Sequence, residues 1–324
     1  MKYLLSLLLS QFALTLASHD HMVTIQNNEL SVTVAKHGAE LQSIKHIKTD
    51  IEYLWQGDPE YWEKRSPNMF PVNVRFKDNR FSYKGKEYEM PRMGLAVNGA
   101  FEVHEQTGKK RDDAKLVLSL KSSKETLKYY PFPFELRVIS QLKGLKLHQK
   151  YRVTNTGNET MPFALGGHPG FRAPFIKRRY RSDYQYTFSE KLHVRRNVIS
   201  DSLIQDEQVD FLNKEDRLSL SDDRIPIGGM LLMDPEARVI GLALKRRNPY
   251  VTLDLRDFPN VNLWSPPGRP YLAIEPMVAH HDLAESPLAI EKKDYLIRLE
   301  PEETRAYTYT IMIDSKEGKR ALGE

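Results

Sequence analysis

The sequence predicts an all-β protein, one large antiparallel sandwich or barrel with few and short helices. Three observations carry this expectation. Apolar residues recur with period two along many stretches, as in strands with one buried and one wet face. Turn-forming clusters separate those stretches, and no window of a dozen or more residues sustains a 3.6-residue period.

The chain opens on Lys2 and Leu4-Leu5-Ser6-Leu7-Leu8-Leu9, stays largely apolar through 12–16, and offers small residues around Thr15-Leu16-Ala17. That is the pattern of a secretory leader over residues 1–21, which predicts a secreted or periplasmic protein. Ser6, Ser10 and Gln11 interrupt the stretch, which is too short for a comfortable membrane span, so none is expected. The alternative is an upstream extension before a start at Met22, which leaves the protein in the cytoplasm.

From Val23 the strands begin. Leu30-Ser31-Val32-Thr33-Val34 alternates apolar and hydroxyl residues, and the alternation returns in Leu116-Val117-Leu118-Ser119-Leu120, Leu136-Arg137-Val138 and Leu145-Lys146-Leu147-His148-Gln149-Lys150-Tyr151-Arg152-Val153. It recurs in Val251-Thr252-Leu253-Asp254-Leu255 and Tyr307-Thr308-Tyr309-Thr310-Ile311-Met312-Ile313. Turn signals lie at Asp78-Asn79, Lys84-Gly85-Lys86, Lys143-Gly144, Asn155-Thr156-Gly157-Asn158 and Asp222-Asp223. The strands flanking Lys143-Gly144 predict a hairpin. No repeat, linker or break in composition divides the chain. Residues 22–315 therefore read as one domain and 316–324 as a loose polar tail.

At 324 residues the chain can bury a sizeable core. Its 48 Lys and Arg stand against 43 Asp and Glu, a net charge of +5 with the signs interspersed, so the charge balance predicts no polyanionic partner. There is no cysteine, which excludes disulfides, thiolate nucleophiles and Cys-ligated metals. GxGxxG and P-loop motifs are absent, and no serine sits in a nucleophile elbow.

Four stretches rich in Pro, Gly and aromatic residues interrupt the strands: residues 61–75, 90–96, 163–174 and 262–276. In the third, an apolar run breaks into Gly166-Gly167, presents His168, and is stiffened by Pro169 and Pro174. The glycines would let a backbone or substrate approach closely, and an imidazole can give or take a proton at neutral pH. A structural histidine bonded to nearby backbone is an equal reading of that segment alone. In the fourth, Leu272-Ala273-Ile274 reads as a strand end with Glu275 directly after it. A carboxylate there, pinned by Pro276, is desolvated into a better base unless a cation pairs with it.

Together, Glu275 and His168 are the minimum equipment for moving a proton off one substrate oxygen and onto another, with neither cofactor nor metal. Trp264, beside Pro266-Pro267-Gly268, offers a rigid aromatic face of the kind sugar sites use, though tryptophan is also a routine core residue. Arg75 can grip a hydroxyl or oxyanion, or pair structurally with Asp78 or Glu275. His280-His281-Asp282 has ligand chemistry, but adjacent residues of an extended chain face opposite ways, and the segment reads as a surface turn. The basic Lys177-Arg178-Arg179-Tyr180-Arg181 reads as a solvated loop rather than a nucleic-acid site, because nothing extends the patch.

The chain resembles the aldose 1-epimerase (galactose mutarotase) superfamily, in its LacX-like branch. The likeness spans nearly all of the chain after the leader. It rests on Gly38-Ala39-Glu40-Leu41-Gln42-Ser43-Ile44, Tyr53-Leu54-Trp55-Gln56-Gly57-Asp58, Phe70-Pro71 with Arg75 and Lys77-Asp78-Asn79, and Tyr130-Pro131-Phe132. It continues in Thr154-Asn155-Thr156-Gly157, Gly166-Gly167-His168-Pro169, Leu263-Trp264-Ser265 and Ile274-Glu275-Pro276.

The resemblance implies a large antiparallel β-supersandwich that interconverts the α and β anomers of free aldoses through the open-chain form. It implies Glu275 as the base on the C1 hydroxyl, His168 as the acid on the ring oxygen, Arg75 steadying sugar oxygens, and a monosaccharide partner. It predicts no nucleic-acid partner and leaves oligomeric state open. Where the family shows His-Gly-Phe-Ala-Arg, this chain has Met93-Gly94-Leu95-Ala96-Val97. Met93 thus faces substrate without a donor, and Val97 replaces an arginine. Near Gly228-Gly229-Met230, relatives often carry a sugar-binding Asp. A catalytically weakened or inactive sugar-binding homologue is the alternative.

Overall fold

A computed structural model describes residues 21–108, 112–174, 179–220 and 225–322. The leader (apart from His21), Lys177 and Arg178 of the basic loop, the Asp222-Asp223 turn and the last two tail residues lie outside the described residues. The rest is an all-β sandwich. Nine antiparallel strands form one sheet, in the order Leu203–Ser219, Tyr184–Ser200, Val239–Leu244, Pro249–Asp254, Thr304–Ile313, Lys146–Asn155, Phe134–Lys143, Asp113–Lys121 and Glu102–Thr107. A second sheet runs Met230–Met233, Asn260–Trp264, Tyr271–Met277, Gly166–Gly167, Asn68–Met69, with Gly170–Arg172 also paired to Tyr271–Met277. A four-stranded sheet closes one side, from Met22–Gln26 to Ile51–Glu52.

Period-two alternation becomes burial directly. In Phe134–Lys143 every second residue from Phe134 to Leu142 is buried, and register with Lys146–Asn155 runs unbroken from Phe134↔Asn155 to Lys143↔Lys146. The expected hairpin therefore forms at Lys143-Gly144, with Gly144 at φ 54°. The two large sheets meet at Gly167. A Cβ there would fall 2.8 Å from the Tyr309 hydroxyl and 2.9 Å from that of Tyr151. Tyr151 also donates across the interface to Asn68 Oδ1 at 2.6 Å. At Gly167 the close approach is by tyrosine rings of the facing sheet, and that packing is what requires the missing side chain.

Two expectations need correction, and one hairpin was not anticipated. The strand Tyr271–Met277 runs through Glu275 and Pro276, with Val261 opposite Pro276, so Glu275 is a fully paired strand residue and not the residue after a strand end. The chain between Tyr184 and Ser219 forms a hairpin of two 17-residue strands that alternation did not reveal. Its burial is irregular, and its pairing shifts register four times between Thr187 and Ile199, so no single face imposes a steady period. The loose tail is helical instead over Ser315–Leu322. Asp314 Oδ1 accepts from the N–H groups of Lys316 and Glu317 at 3.0 Å, capping the helix, and Gly318 packs against the Tyr53 ring. Among the described residues no helix is long and apolar enough to cross a membrane.

Candidate active site

A cleft of about 490 Å³ opens at one end of the second sheet, within the size range of small-molecule sites. Strand pairing builds its floor. Asn262 and Glu275 lie directly opposite one another on adjacent strands, so both side chains leave the sheet on the same face, and Asn262 Nδ2 donates to Glu275 Oε1 at 3.0 Å. His168 follows the two-residue strand Gly166–Gly167, which pairs with Tyr271–Met277 at Gly166↔Met277. Its own N–H donates to Pro67 O at 3.0 Å, and Pro169 O accepts from Ile274 N at 3.2 Å. These bonds bring His168 Nε2 to 3.4 Å from Glu275 Oε1.

Both groups are nearly dry: His168 is 6% exposed and Glu275 1%. Burial pushes the Glu275 carboxyl well above the usual carboxylate range, against the opposing hydrogen bond from Asn262. Burial pushes His168 down to about 3, helped by the neighbouring His281. Low dielectric disfavours charge on either group, so the pair holds its one shared proton on the carboxyl beside a neutral imidazole.

Aromatic rings wall the cleft. Trp62 lies against His168 with centroids 4.9 Å apart and planes tilted by 36°, and Trp264 meets it edge-on at 5.4 Å. Trp264 is fixed by its Nε1–H donating to Ile227 O at 3.1 Å. The loop carrying Trp62 is held by Glu40, whose Oε1 accepts from Arg65 N at 2.6 Å and Ser66 N at 3.0 Å. The lining also has an apolar patch, where Met93 and Ile199 pack on buried Met69, Val74, Ile204, Leu231 and Met277, beside the polar Arg92, Ser200, Asp201 and Ser202.

Of the residues the sequence singled out, Glu275, His168, Trp264 and Met93 line this one cleft. Arg75 does not line it. Its partner is neither Asp78 nor Glu275 but Asp201, 2.5 Å away at the tip of the long hairpin. Asp201 and Ser202 turn that tip at φ 48° and 61°, and Arg92 Nη2 donates to Ser202 Oγ at 3.1 Å. Two arginines thus hold the hairpin tip over the cleft mouth. Val97 is buried in a short 3-10 turn and also does not line the cleft. Near the loosely matched Gly228-Gly229, Gly228 is in the lining, and a Cβ on Gly229 would meet the Asn262 amide at 2.7 Å.

His280-His281-Asp282 is not a surface turn. His281 is 2% and Asp282 0% exposed, and Lys293 Nζ pairs with Asp282 Oδ2 at 2.8 Å inside the protein. The histidines do diverge: His280 stacks on Tyr295 at 4.6 Å, whereas His281 lines the cleft. Arg181 of the basic loop is also no solvated residue. Its guanidinium donates to Ser265 Oγ at 2.5 Å, to Ser265 O, and to Arg269 O at 3.0 Å, tying down the Trp264 loop. Sequence reasoning missed Asn262, Trp62, His281 and Asp201. For Asn262 a signal existed, since its alternation with Leu263 and Trp264 puts a polar residue on the cleft face. For the others the signal is spatial.

The aldose 1-epimerase family model matches residues 21–228. That stretch includes His168 and Arg75 and ends before Glu275. Protein LacX of Lactococcus lactis subsp. lactis, in its plasmid form, is 28% identical over 296 residues, covering 90% of this chain and 99% of its own length. Among solved structures, a galactose mutarotase related enzyme from Lactobacillus acidophilus superposes with a TM-score of 0.82 at 31% identity, over 90% of this chain and 97% of that one. A galactose mutarotase-like protein from Lactobacillus casei gives 0.83 at 28% identity, over 90% and 100%.

Proposed function

We propose that this chain, which belongs to the aldose 1-epimerase family, interconverts the α and β anomers of a free aldose by acid-base ring opening. The observation that carries the proposal is the dry Glu275–His168 contact of 3.4 Å on the floor of an aromatic-walled cleft. Sugar hydroxyls that bond to the Glu275 carboxylate stabilise its ionised form, and the shared proton passes to His168. Glu275 then removes the proton of the C1 hydroxyl. The electron pair of that O–H bond forms the carbonyl, the C1–O5 bond breaks, and O5 takes the proton from His168. The pair is left as carboxylic acid and neutral imidazole, its favoured state when buried. After rotation about C1–C2, O5 attacks the other carbonyl face, His168 takes the O5 proton, and Glu275 returns its proton to O1. No proton is gained or lost over the cycle.

Asn262 keeps Glu275 facing the cleft, and Trp264 with Trp62 offers flat apolar surface to the C–H face of a sugar ring. The Met93 side chain itself supplies no hydrogen-bond donor, which fits weaker or altered sugar binding rather than loss of the proton-moving pair.

Freshly dissolved α-D-glucose and α-D-galactose are followed by polarimetry or NMR. The expected result is exchange faster than in buffer for wild type and a drop of about 10² to 10⁴ for Glu275→Gln. Saturable sugar binding without exchange, unchanged in Glu275→Gln, would instead identify a binding protein.

A further inference from the structure

Among the described residues, four side chains lining the cleft carry polar atoms with no hydrogen-bond partner of normal geometry. They are Glu275 through Oε2, His168 through Nδ1, Asn262 through Oδ1 and His281 through both ring nitrogens. Buried polar groups are rarely left unpaired, so a cluster of them facing one cavity marks where a hydroxyl-bearing ligand completes the bonding. The first three belong to the proton-moving pair and its support. His281 is not used by that chemistry.

The imidazole of His281 is presented rigidly. On one side Val278 N donates to Leu165 O at 2.9 Å, and Asn73 Nδ2 donates to Ala279 O at 3.0 Å. The His281 carbonyl accepts from His280 Nδ1 at 2.6 Å. On the other side Asp282 accepts from Lys293 Nζ and from Lys77 N, each at 2.8 Å, while its carbonyl accepts from Ile204 N at 2.9 Å. With these neighbours bonded, the ring makes no hydrogen bond of normal geometry among the described residues, and the Ser202 backbone approaches it.

We propose that His281 is a sugar-binding residue of this cleft, its neutral imidazole donating one hydrogen bond to the bound aldose and accepting another. The proposal rests on the anomer-exchange reading of the same site. Burial, with His280 and Arg92 nearby, pushes His281 down to about 4, so at neutral pH it carries one N–H and one lone pair. That donor-acceptor set matches vicinal hydroxyls, each of which also gives and accepts. It sits on the loop after Tyr271–Met277, in a cleft also lined by Arg92, Ser200, Asp201 and Ser202.

The test titrates D-glucose and D-galactose into wild type, His281→Leu and His281→Gln, reading Kd by NMR and kcat and KM by anomer exchange. His281→Leu is expected to raise Kd and KM for at least one hexose about tenfold, with kcat far less affected, and Gln to recover most of the loss. In wild type carrying 15N-labelled histidine, the His281 ring resonances are expected to shift on sugar addition. His281→Leu that is folded and binds both hexoses like wild type overturns the proposal. So do unmoved ring resonances at saturating sugar, a result independent of whether the variants fold. Binding weakened by His281→Leu in a wild type that shows no exchange supports the proposal and overturns the enzyme reading alone. Exchange that is intact in His281→Leu with unchanged KM does the reverse.

Discussion

Replacing either member of the buried pair should tilt the pH dependence of stability, and the two replacements should tilt it in opposite directions. In the folded protein the pair holds one proton, on Glu275, because burial raises the carboxyl well above 4.5 and lowers His168 to about 3. The unfolded chain between pH 4.5 and 6.5 also holds one proton, but on the histidine. Folding then moves no net proton through this pair, and its contribution to stability is flat across that window.

Glu275→Gln leaves a folded state with neutral His168 against an unfolded state with a charged one. Stability then falls as pH drops below 6.5, by about 1.4 kcal/mol per unit relative to wild type, or about 2.7 kcal/mol by pH 4.5. His168→Gln leaves a protonated Glu275 in the fold against an ionised one in the unfolded chain. Stability then falls instead as pH rises from 4.5, with a similar slope. His281 also loses stability toward acid, but it does so in all three proteins and cancels in the differences. Urea unfolding at pH 4.5, 5.5 and 6.5 measures these slopes from the midpoints, with m checked for constancy. Three parallel curves would refute the reasoning, because they would mean that the pair ionises in the fold as it does in water.

Asn262→Leu removes the donor that opposes desolvation of Glu275, so the carboxyl rises further. Exchange should slow by about tenfold, measured by NMR, with the fold retained. Gly167→Ala drives a methyl group against the Tyr151 and Tyr309 hydroxyls and should cost about 1–3 kcal/mol in urea unfolding. Lys293→Met strands the fully buried Asp282 carboxylate and should cost about 3–5 kcal/mol, read in the same assay. Asp201→Ala releases Arg75 and the hairpin tip. Because Asp201 is 75% exposed, little stability should be lost, but amide exchange at residues 199–203 should speed up.

The sequence by itself determined the fold class and the hairpin at Lys143-Gly144, and it singled out His168 and Glu275, whose proposed roles came from the family resemblance. Strand periodicity is a local property, since each side chain's face follows from its neighbours two positions away. Phe134–Lys143 therefore carries its burial pattern in its own residues. His168 and Glu275 were legible because each interrupts an apolar run. Where register shifts break the alternation, as in the 184–219 hairpin, the local pattern carried no steady period. Only the tertiary structure decided that His281 is buried in the cleft, that Arg75 spends itself on Asp201, and that Arg181 braces the Trp264 loop. Charged and polar side chains default to water, and they leave it only when partners arrive from elsewhere. Arg75 and Asp201 are 126 residues apart in the chain, and the hydrogen bonds that hold the segment around His281 come from Leu165, Asn73, Lys77 and Ile204. Such pairings exist only once the sheets have closed, so no segment carries their signature.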